Sequence, residues 1–193
     1  MKKNYKDYPT YYLFTDVEGT GLNFDKEGKE IKNDLIELSY ILTDQNLFKM
    51  KENTYINSFS NYDYKNMSDY VKKMHSKNNL IQDSKKSELS LNTIDDKLYN
   101  ELSYILPDKC RLILTGNTIH YDYEIIRRNL PKTFSLLHYR MLDVSAVRET
   151  ISLIDPNFTK KESNIKSYNH RAKDDINETL KELKSYKKVI KIA

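Results

Sequence analysis

Residues Tyr11–Leu22 read YYLFTDVEGTGL, and the fold turns on them. The first part, Tyr11 to Glu18, is apolar and rich in aromatic and β-branched side chains, which suit a pleated, buried strand. Gly19-Thr20-Gly21 then ends it with a turn. Asp16 and Glu18 are two residues apart, and on a strand residues i and i+2 point to the same face. Two carboxylates projecting together from the end of a core strand repel each other and are costly to desolvate. A cation resolves both problems. A solvated strand edge would as well, and for an isolated pair of acids at this spacing the solvated edge is the commoner explanation.

Reading outward, Leu35 to Thr43 (LIELSYILT) is a buried strand, Asp44-Gln45-Asn46 a turn, and Leu47 to Phe59 a third strand of alternating character. Short or polar connections predict that these three are antiparallel neighbours. The character then changes. Met67 to Lys77 is helical in composition. Ser90 to Leu106 is a stronger helix, with Ile94, Leu98, Leu102 and Ile105 at helical spacing and Ser90 as a cap. Arg111 to Thr115 is a short buried strand ending at Gly116-Asn117. Tyr121 to Asn129 is a helix stopped near Pro131. Arg140 to Val144 is a strand, followed by a helix through Leu153. A last helix runs from Arg171 to Lys188, with Ile176, Leu180, Leu183 and Lys187 along one face. This order describes an α/β fold, a mixed five-stranded sheet flanked by helices. The ribonuclease H-like fold has the same order.

The 193 residues are enough for one domain, residues 1–193, with a core that needs no disulfide or metal staple. Cys110 is the one cysteine, which excludes a disulfide framework and a cysteine-based zinc cluster. No apolar run approaches a membrane span, and the start MKKNYKDYPT lacks the apolar stretch of a signal peptide. The expected setting is soluble and reducing inside the cell: cytoplasmic first, with a mitochondrial one left open. Lys and Arg total 32 against 28 Asp and Glu, a net +4 that suits nucleic acid without demanding it. Most of the lysines read as solvated surface. The six arginines all fall between Arg111 and Arg171.

Two further acidic clusters join the first. Gly116–Asp122 (GNTIHYD) runs from a strand end into a helix, and His170–Asp175 (HRAKDD) opens the last helix. Acids in a first turn also favour the helix dipole, so Asp174 and Asp175 have a second explanation. Three acidic clusters at three element ends, in this chain order, are harder to explain in that way. The pattern D-x-E-x-T-G-L, G-N-(S/T)-x-x-x-D and H-R-A-x-D-D resembles the histidine-containing DEDD 3′–5′ exonucleases of the DnaQ-like superfamily. Within them the chain is most similar to the oligoribonucleases. That resemblance is carried further by Met67–Leu80 (MSDYVKKMHSKNNL), His138–Val147 (HYRMLDVSAV) and His170–Tyr186.

The resemblance implies a 3′–5′ exoribonuclease that degrades short RNA oligonucleotides, especially dinucleotides, to 5′-mononucleotides. By it, Asp16, Glu18, Asp122 and Asp175 hold two divalent cations, Mg²⁺ or Mn²⁺, and His170 is the general base. Asp174 rivals Asp175, and the family spacing of five residues after the histidine selects Asp175. The residues matching Thr118, His138, Tyr139 and Arg140 close over the 5′ phosphate of a dinucleotide, partly from the other subunit of a homodimer. Leu22 and Tyr70 match positions that pack against or wedge between the bases, and His75 lies near the wedge as an exposed helix residue. His120 reads as a surface position. Of the arginines only Arg140 receives a function; Arg127 and Arg128 face solvent or a partner subunit, and Arg148 has no assigned role. A 3′–5′ DNA exonuclease on the same scaffold and a catalytically silent nucleic-acid-binding module are the alternatives. The chain departs from the family at Gly19, where methionine is usual, at Tyr70, where tryptophan is usual, and in a longer, more charged loop from Asn23 to Asp34. These departures leave the metal chemistry intact and bear on the base-stacking surface.

Overall fold

A computed structural model describes residues 8–62, 64–65, 67–155 and 171–190. Strand β1 (Thr10–Gly19) is followed by β2 (Leu35–Thr43) and β3 (Lys49–Ile56). Helices α1 (Asp69–Lys77), α2 (Leu80–Lys86) and α3 (Leu91–Ile105) come next. Then follow β4 (Arg111–Gly116), α4 (His120–Asn129), α5 (Pro131–Leu136), β5 (Leu137–Asp143), α6 (Val144–Ile154) and α7 (Ala172–Ile190). The five strands form one sheet in the order β3-β2-β1-β4-β5. β1–β2 and β2–β3 are antiparallel, β1–β4 and β4–β5 parallel, so the mixed sheet inferred from the sequence is present.

Alternation along β1 decides what each face buries. Leu13 and Val17 point to one side and pack with Leu38, Leu114, Ile94, Leu98, Leu102 and Ile125 beneath α3, α4 and α5. Phe14 points to the other side and packs with Ile41, Val144, Ile151, Ile176, Leu180 and Tyr186 beneath α6 and α7. β2 is buried along its whole length, as a strand covered on both faces requires. A small cluster of Ile36, Tyr62, Met67, Leu80 and Ile81 seats α1 and α2 at one end of the sheet.

The differences from the sequence reading have physical causes. α2 and α5 span 7 and 6 residues, too few to show a period, and neither was foreseen. Pro131 does end α4, but it also starts α5, since a first helical position needs no N–H donor. β3 stops at Ile56 rather than Phe59, and Phe59–Asn61 form a short 3₁₀ turn. β5 begins at Leu137 rather than Arg140, so His138 and Tyr139 lie within the strand rather than before it. On α7 the buried series is Ile176, Leu180, Leu183 and Tyr186, and Lys187, on the same side, is only half-buried. Ser90 caps α3 through the Thr93 amide, as foreseen. No helix among the described residues is long and apolar enough to cross a membrane.

Candidate active site

β1 outlasts one of its neighbours. Its pairing with β4 ends at Phe14↔Thr115, whereas β2 accompanies it as far as Gly19↔Leu35. Asp16 to Gly19 therefore have a strand on one side and, on the other, the start of α4. Beyond the carboxyl ends of diverging strands is where open α/β sheets bind their ligands.

Asp16, Glu18 and Asp175 each offer a carboxylate oxygen here, all within 4.8 Å of one another. Asp16 and Glu18 share the face that α7 covers. Asp175 reaches them because Ile176, its neighbour in sequence, is packed against Phe14 and Ile41. Asp174, one residue earlier, is exposed. Asp122 is buried at the start of α4, and its Oδ1 has no hydrogen-bond partner among the described residues. Burial, then repulsion from Asp175 and Glu37, pushes Asp16 up to about 8. Burial, then repulsion from Asp16, Glu37 and Asp175, pushes Glu18 up to about 9, with Arg171 opposing. Burial and the nearby Asp16 also raise Asp122 well above the usual carboxylate range.

These residues fit a divalent cation. The donors are all hard oxygens, one buried oxygen lacks a partner, and the acids crowd one another without an adequate counter-charge. His170 lies outside the described residues.

Three residues not singled out for function, Glu37, Arg171 and Asn117, hold this arrangement. Glu37 sits directly opposite Glu18 in the register of β1 and β2. It accepts from Arg171 Nη2 at 2.8 Å, from Arg171 Nε at 3.2 Å and from the Ala172 amide at 3.3 Å. Arg171 Nη1 reaches Asp83 Oδ2 at 2.9 Å and the Asn78 carbonyl at 3.1 Å. The first turn of α7, and Asp175 with it, is thus tied to β2 and to the α1–α2 junction. Asn117, at the end of β4, donates to Thr179 Oγ1 of α7 at 2.9 Å and accepts from Ser145 Oγ of α6 at 3.1 Å.

His75 is a correction. It is not an exposed helix residue; its exposure is 0%, and its Nε2 lies 3.0 Å from the Gly19 carbonyl. Its Nδ1 is 3.9 Å from Glu18 Oε2. It lies beneath the strand end and, in this conformation, is closed to a substrate. The signal was available: Met67, Val71 and His75 follow one another at i+4, so His75 shares the apolar side of that segment.

The remaining expected residues separate into two groups. Leu22 and Tyr70 are 70% and 75% exposed, large side chains presented to solvent. Thr118 is exposed at a left-handed φ of 50°, its amide shared between Asp143 Oδ1 and Ser145 Oγ, each at 3.2 Å. His138, Tyr139 and Arg140 lie elsewhere. The His138 and Tyr139 rings are 4.3 Å apart, and the Arg140 guanidinium is 5.5 Å from the Tyr139 ring. Burial, then Arg111 and Arg140, holds His138 below the usual imidazole range. They occupy the edge strand β5 near the level of Leu112 and Ile113, which pair with Tyr11 and Tyr12. Asp16 is four residues beyond Tyr12, roughly 13 Å along the strand at about 3.3 Å per residue. One chain does not bring this group to the acids. His120 is exposed, as foreseen. Arg128 does not face solvent freely: it pairs with Glu30 at 2.7 Å and donates to the Ile31 carbonyl at 3.0 Å, fastening the Asn23–Asp34 loop to α4. Arg127 pairs with Glu124 at 2.7 Å, and Arg148 with Glu182 at 3.0 Å.

The family model for exonucleases of the RNase T type matches residues 13–183. A probable oligoribonuclease of Dictyostelium discoideum is 32% identical over 91% of this chain and 87% of its own length. The oligoribonuclease of Buchnera aphidicola subsp. Schizaphis graminum is 32% identical over 92% and 91%. The chain belongs to the oligoribonucleases of the exonuclease family. It is accordingly an enzyme, a 3′–5′ exoribonuclease, of a family that normally uses divalent metal ions. Among solved structures, E. coli exonuclease I in complex with a dT13 oligonucleotide superimposes with a TM-score of 0.64. That match has 15% identity and covers 92% of this chain but only 41% of the other. It shows the shared ribonuclease H-like fold.

Proposed function

We propose that this exoribonuclease acts on short RNA oligonucleotides, dinucleotides above all, and releases 5′-mononucleotides by two-metal-ion hydrolysis. The observation that carries the reading is the oxygen cluster of Asp16, Glu18 and Asp175, with Asp122 buried and near enough to be repelled by Asp16 and Glu18. Asp16, Glu18, Asp122 and Asp175 would hold two divalent cations, Mg²⁺ or Mn²⁺. Such a pair supplies a nucleophilic water and charge stabilisation at the leaving 3′ oxygen. The chain's own residues do the rest. His170, next in sequence to the anchored Arg171, takes the proton of the attacking water, since imidazole titrates near the working pH. Leu22 and Tyr70 meet the bases. Thr118 offers a hydroxyl to phosphate, and Arg140 a fork suited to a terminal phosphate, with His138 and Tyr139 alongside.

The separation of β5 from the acids supports a homodimer in which His138, Tyr139 and Arg140 act on the partner's substrate. A cap of that kind obstructs long polymers and favours a dinucleotide. One domain over residues 1–193 and a cytoplasmic setting belong to the same proposal. The test offers end-labelled pNpN, a seven-residue RNA and single-stranded DNA to the protein with Mn²⁺, with a sizing measurement alongside. Rapid, preferential loss of pNpN by a dimer is expected. Equal cleavage of long DNA would mark a DNA exonuclease instead, and metal binding without cleavage a binding module.

A further inference from the structure

We infer that Asn33 and Tyr121 form a clasp that sets the stance of Leu22, and that Asn33 is thereby a specificity-determining positioning residue. Asn33 lies just before β2, near the end of the Asn23–Asp34 loop, and is buried. It uses both ends of its amide on one residue. Its Oδ1 accepts from the Gly21 amide at 3.1 Å, and its Nδ2 donates to the Gly21 carbonyl at 2.8 Å. The same Nδ2 lies 3.1 Å from Asn23 Oδ1 and 3.2 Å from the Tyr121 hydroxyl. Tyr121 in turn donates to the Gly21 carbonyl at 2.9 Å, and Asn23 Nδ2 donates to the Tyr121 carbonyl at 3.2 Å. Thr20 is held as well, its amide by the Asp34 carbonyl at 3.0 Å and its hydroxyl by the Asp34 amide at 2.9 Å. Residues 20, 21 and 23 are all tied down, and Leu22 between them stands 70% exposed.

Gly19 completes the device. A Cβ there would lie 2.5 Å from Asn33 Oδ1, 2.8 Å from the Tyr121 hydroxyl and 3.0 Å from Ile125 Cδ1. The amide and the phenol fill the space that a side chain at position 19 would need. The clasp also fixes Leu22 relative to the acids, because Gly19 follows Glu18 and Tyr121 precedes Asp122 in sequence. A large apolar side chain on a floppy turn would lose freedom on meeting a base; on a turn already fixed, little is left to lose.

The inference rests on the proposal that Leu22 meets the bases, and the experiment separates the two. Steady-state kcat and KM are measured with Mn²⁺ on pApA and on methyl p-nitrophenyl phosphate, a phosphodiester without a nucleobase. The proteins are the full chain and its Asn33→Ala, Tyr121→Phe and Leu22→Ala variants. Asn33→Ala should raise KM for pApA about tenfold, the size expected for losing paired buried hydrogen bonds. The ratio of kcat/KM for pApA to that for the base-free ester should fall by the same factor. An equal loss on both substrates would reduce Asn33 to a structural residue and overturn the inference. If Leu22→Ala raises KM for pApA and Asn33→Ala does not, the clasp alone is wrong. If Leu22→Ala leaves that KM in place, the base contact fails and takes the clasp with it. Should Asn33→Ala fold poorly, Tyr121→Phe removes one hydroxyl and decides the matter by the same ratio, with a drop of about threefold expected.

Discussion

Glu18 and Glu37 face each other across β1 and β2, and their surroundings are opposite. Glu37 is 1% exposed and has its counter-charge inside the chain, in the Arg171 guanidinium and the Ala172 amide. Glu18, its side chain 12% exposed, has Asp16, Glu37 and Asp175 as its main electrostatic neighbours with Arg171 only opposing them, and burial, then those acids, pushes it up to about 9. Burial of an acid does not by itself mark chemistry. A buried glutamate with its own arginine is scaffold. A buried glutamate surrounded by other acids needs a cation from outside.

Removing a candidate ligand breaks this contrast most severely. Asp175→Asn should lower kcat on pNpN by about a thousandfold, since a bound metal contributes several kcal/mol of charge stabilisation. Asp174→Asn, on the exposed neighbour, should stay within about threefold. Equal losses in the two variants would show that both acids serve the site.

The scaffold side comes next. Arg171→Ala leaves Glu37 buried without its partner and should cost roughly 3 kcal/mol of unfolding free energy, read from urea titrations. Adding Glu37→Gln should restore part of that loss, because the stranded charge goes with it. Additive losses would mean that the two side chains do not act as a pair.

Metal and pH sharpen the contrast from the Glu18 side. In the folded chain without metal, Asp16 and Glu18 keep their protons up to about 8 and 9. In the unfolded chain they release them near the ordinary carboxylate values of about 4. Between those limits the folded state binds more protons, so stability of the metal-free protein falls as pH rises through that window. Thermal melts in EDTA at pH 5, 7 and 9 should show Tm dropping by several degrees, and Mn²⁺ should raise Tm most at the alkaline end. A flat profile in EDTA would show that the acids are not crowded.

The smallest effect belongs to His75. His75→Phe forfeits the contact with the Gly19 carbonyl and should cost about 1–2 kcal/mol of stability. KM for pApA should shift less than it does in Asn33→Ala. A larger rise in KM would return His75 to direct contact with substrate.

Much of this was legible in the sequence, for local reasons. Strand alternation puts Asp16 and Glu18 on one face and Asp122 follows a strand–turn, and the order of the three acidic motifs, through the family resemblance, singles them out as candidate ligands. The choice of Asp175 over Asp174 is sharpened by the helix period: Asp175, Thr179 and Glu182 lie on one flank, and the latter two are buried. What was not legible depends on distance along the chain. Arg171 meets Glu37 across 134 positions, and no local pattern pairs them. Asn33 sits in what reads as a charged surface loop, and its burial follows only from the return of that loop against α4. His138 and Tyr139 precede the strand expected to start at Arg140, and they extend it because an edge strand tolerates polar residues, one side of it meeting water.

The register of β1 also governs which changes of chain length the enzyme can survive. One residue inserted between Phe14 and Asp16 would swing both acids to the face of Leu13 and Val17 and send Val17 toward α7. Two inserted residues would restore the face but carry the acids about 6.8 Å further along the strand, past Asp175. The tip of the loop at Lys26–Gly28 lies in a turn closed by Asp25, outside these constraints. Length variation should therefore accumulate at that tip and be purged from β1, even where single substitutions in β1 are tolerated.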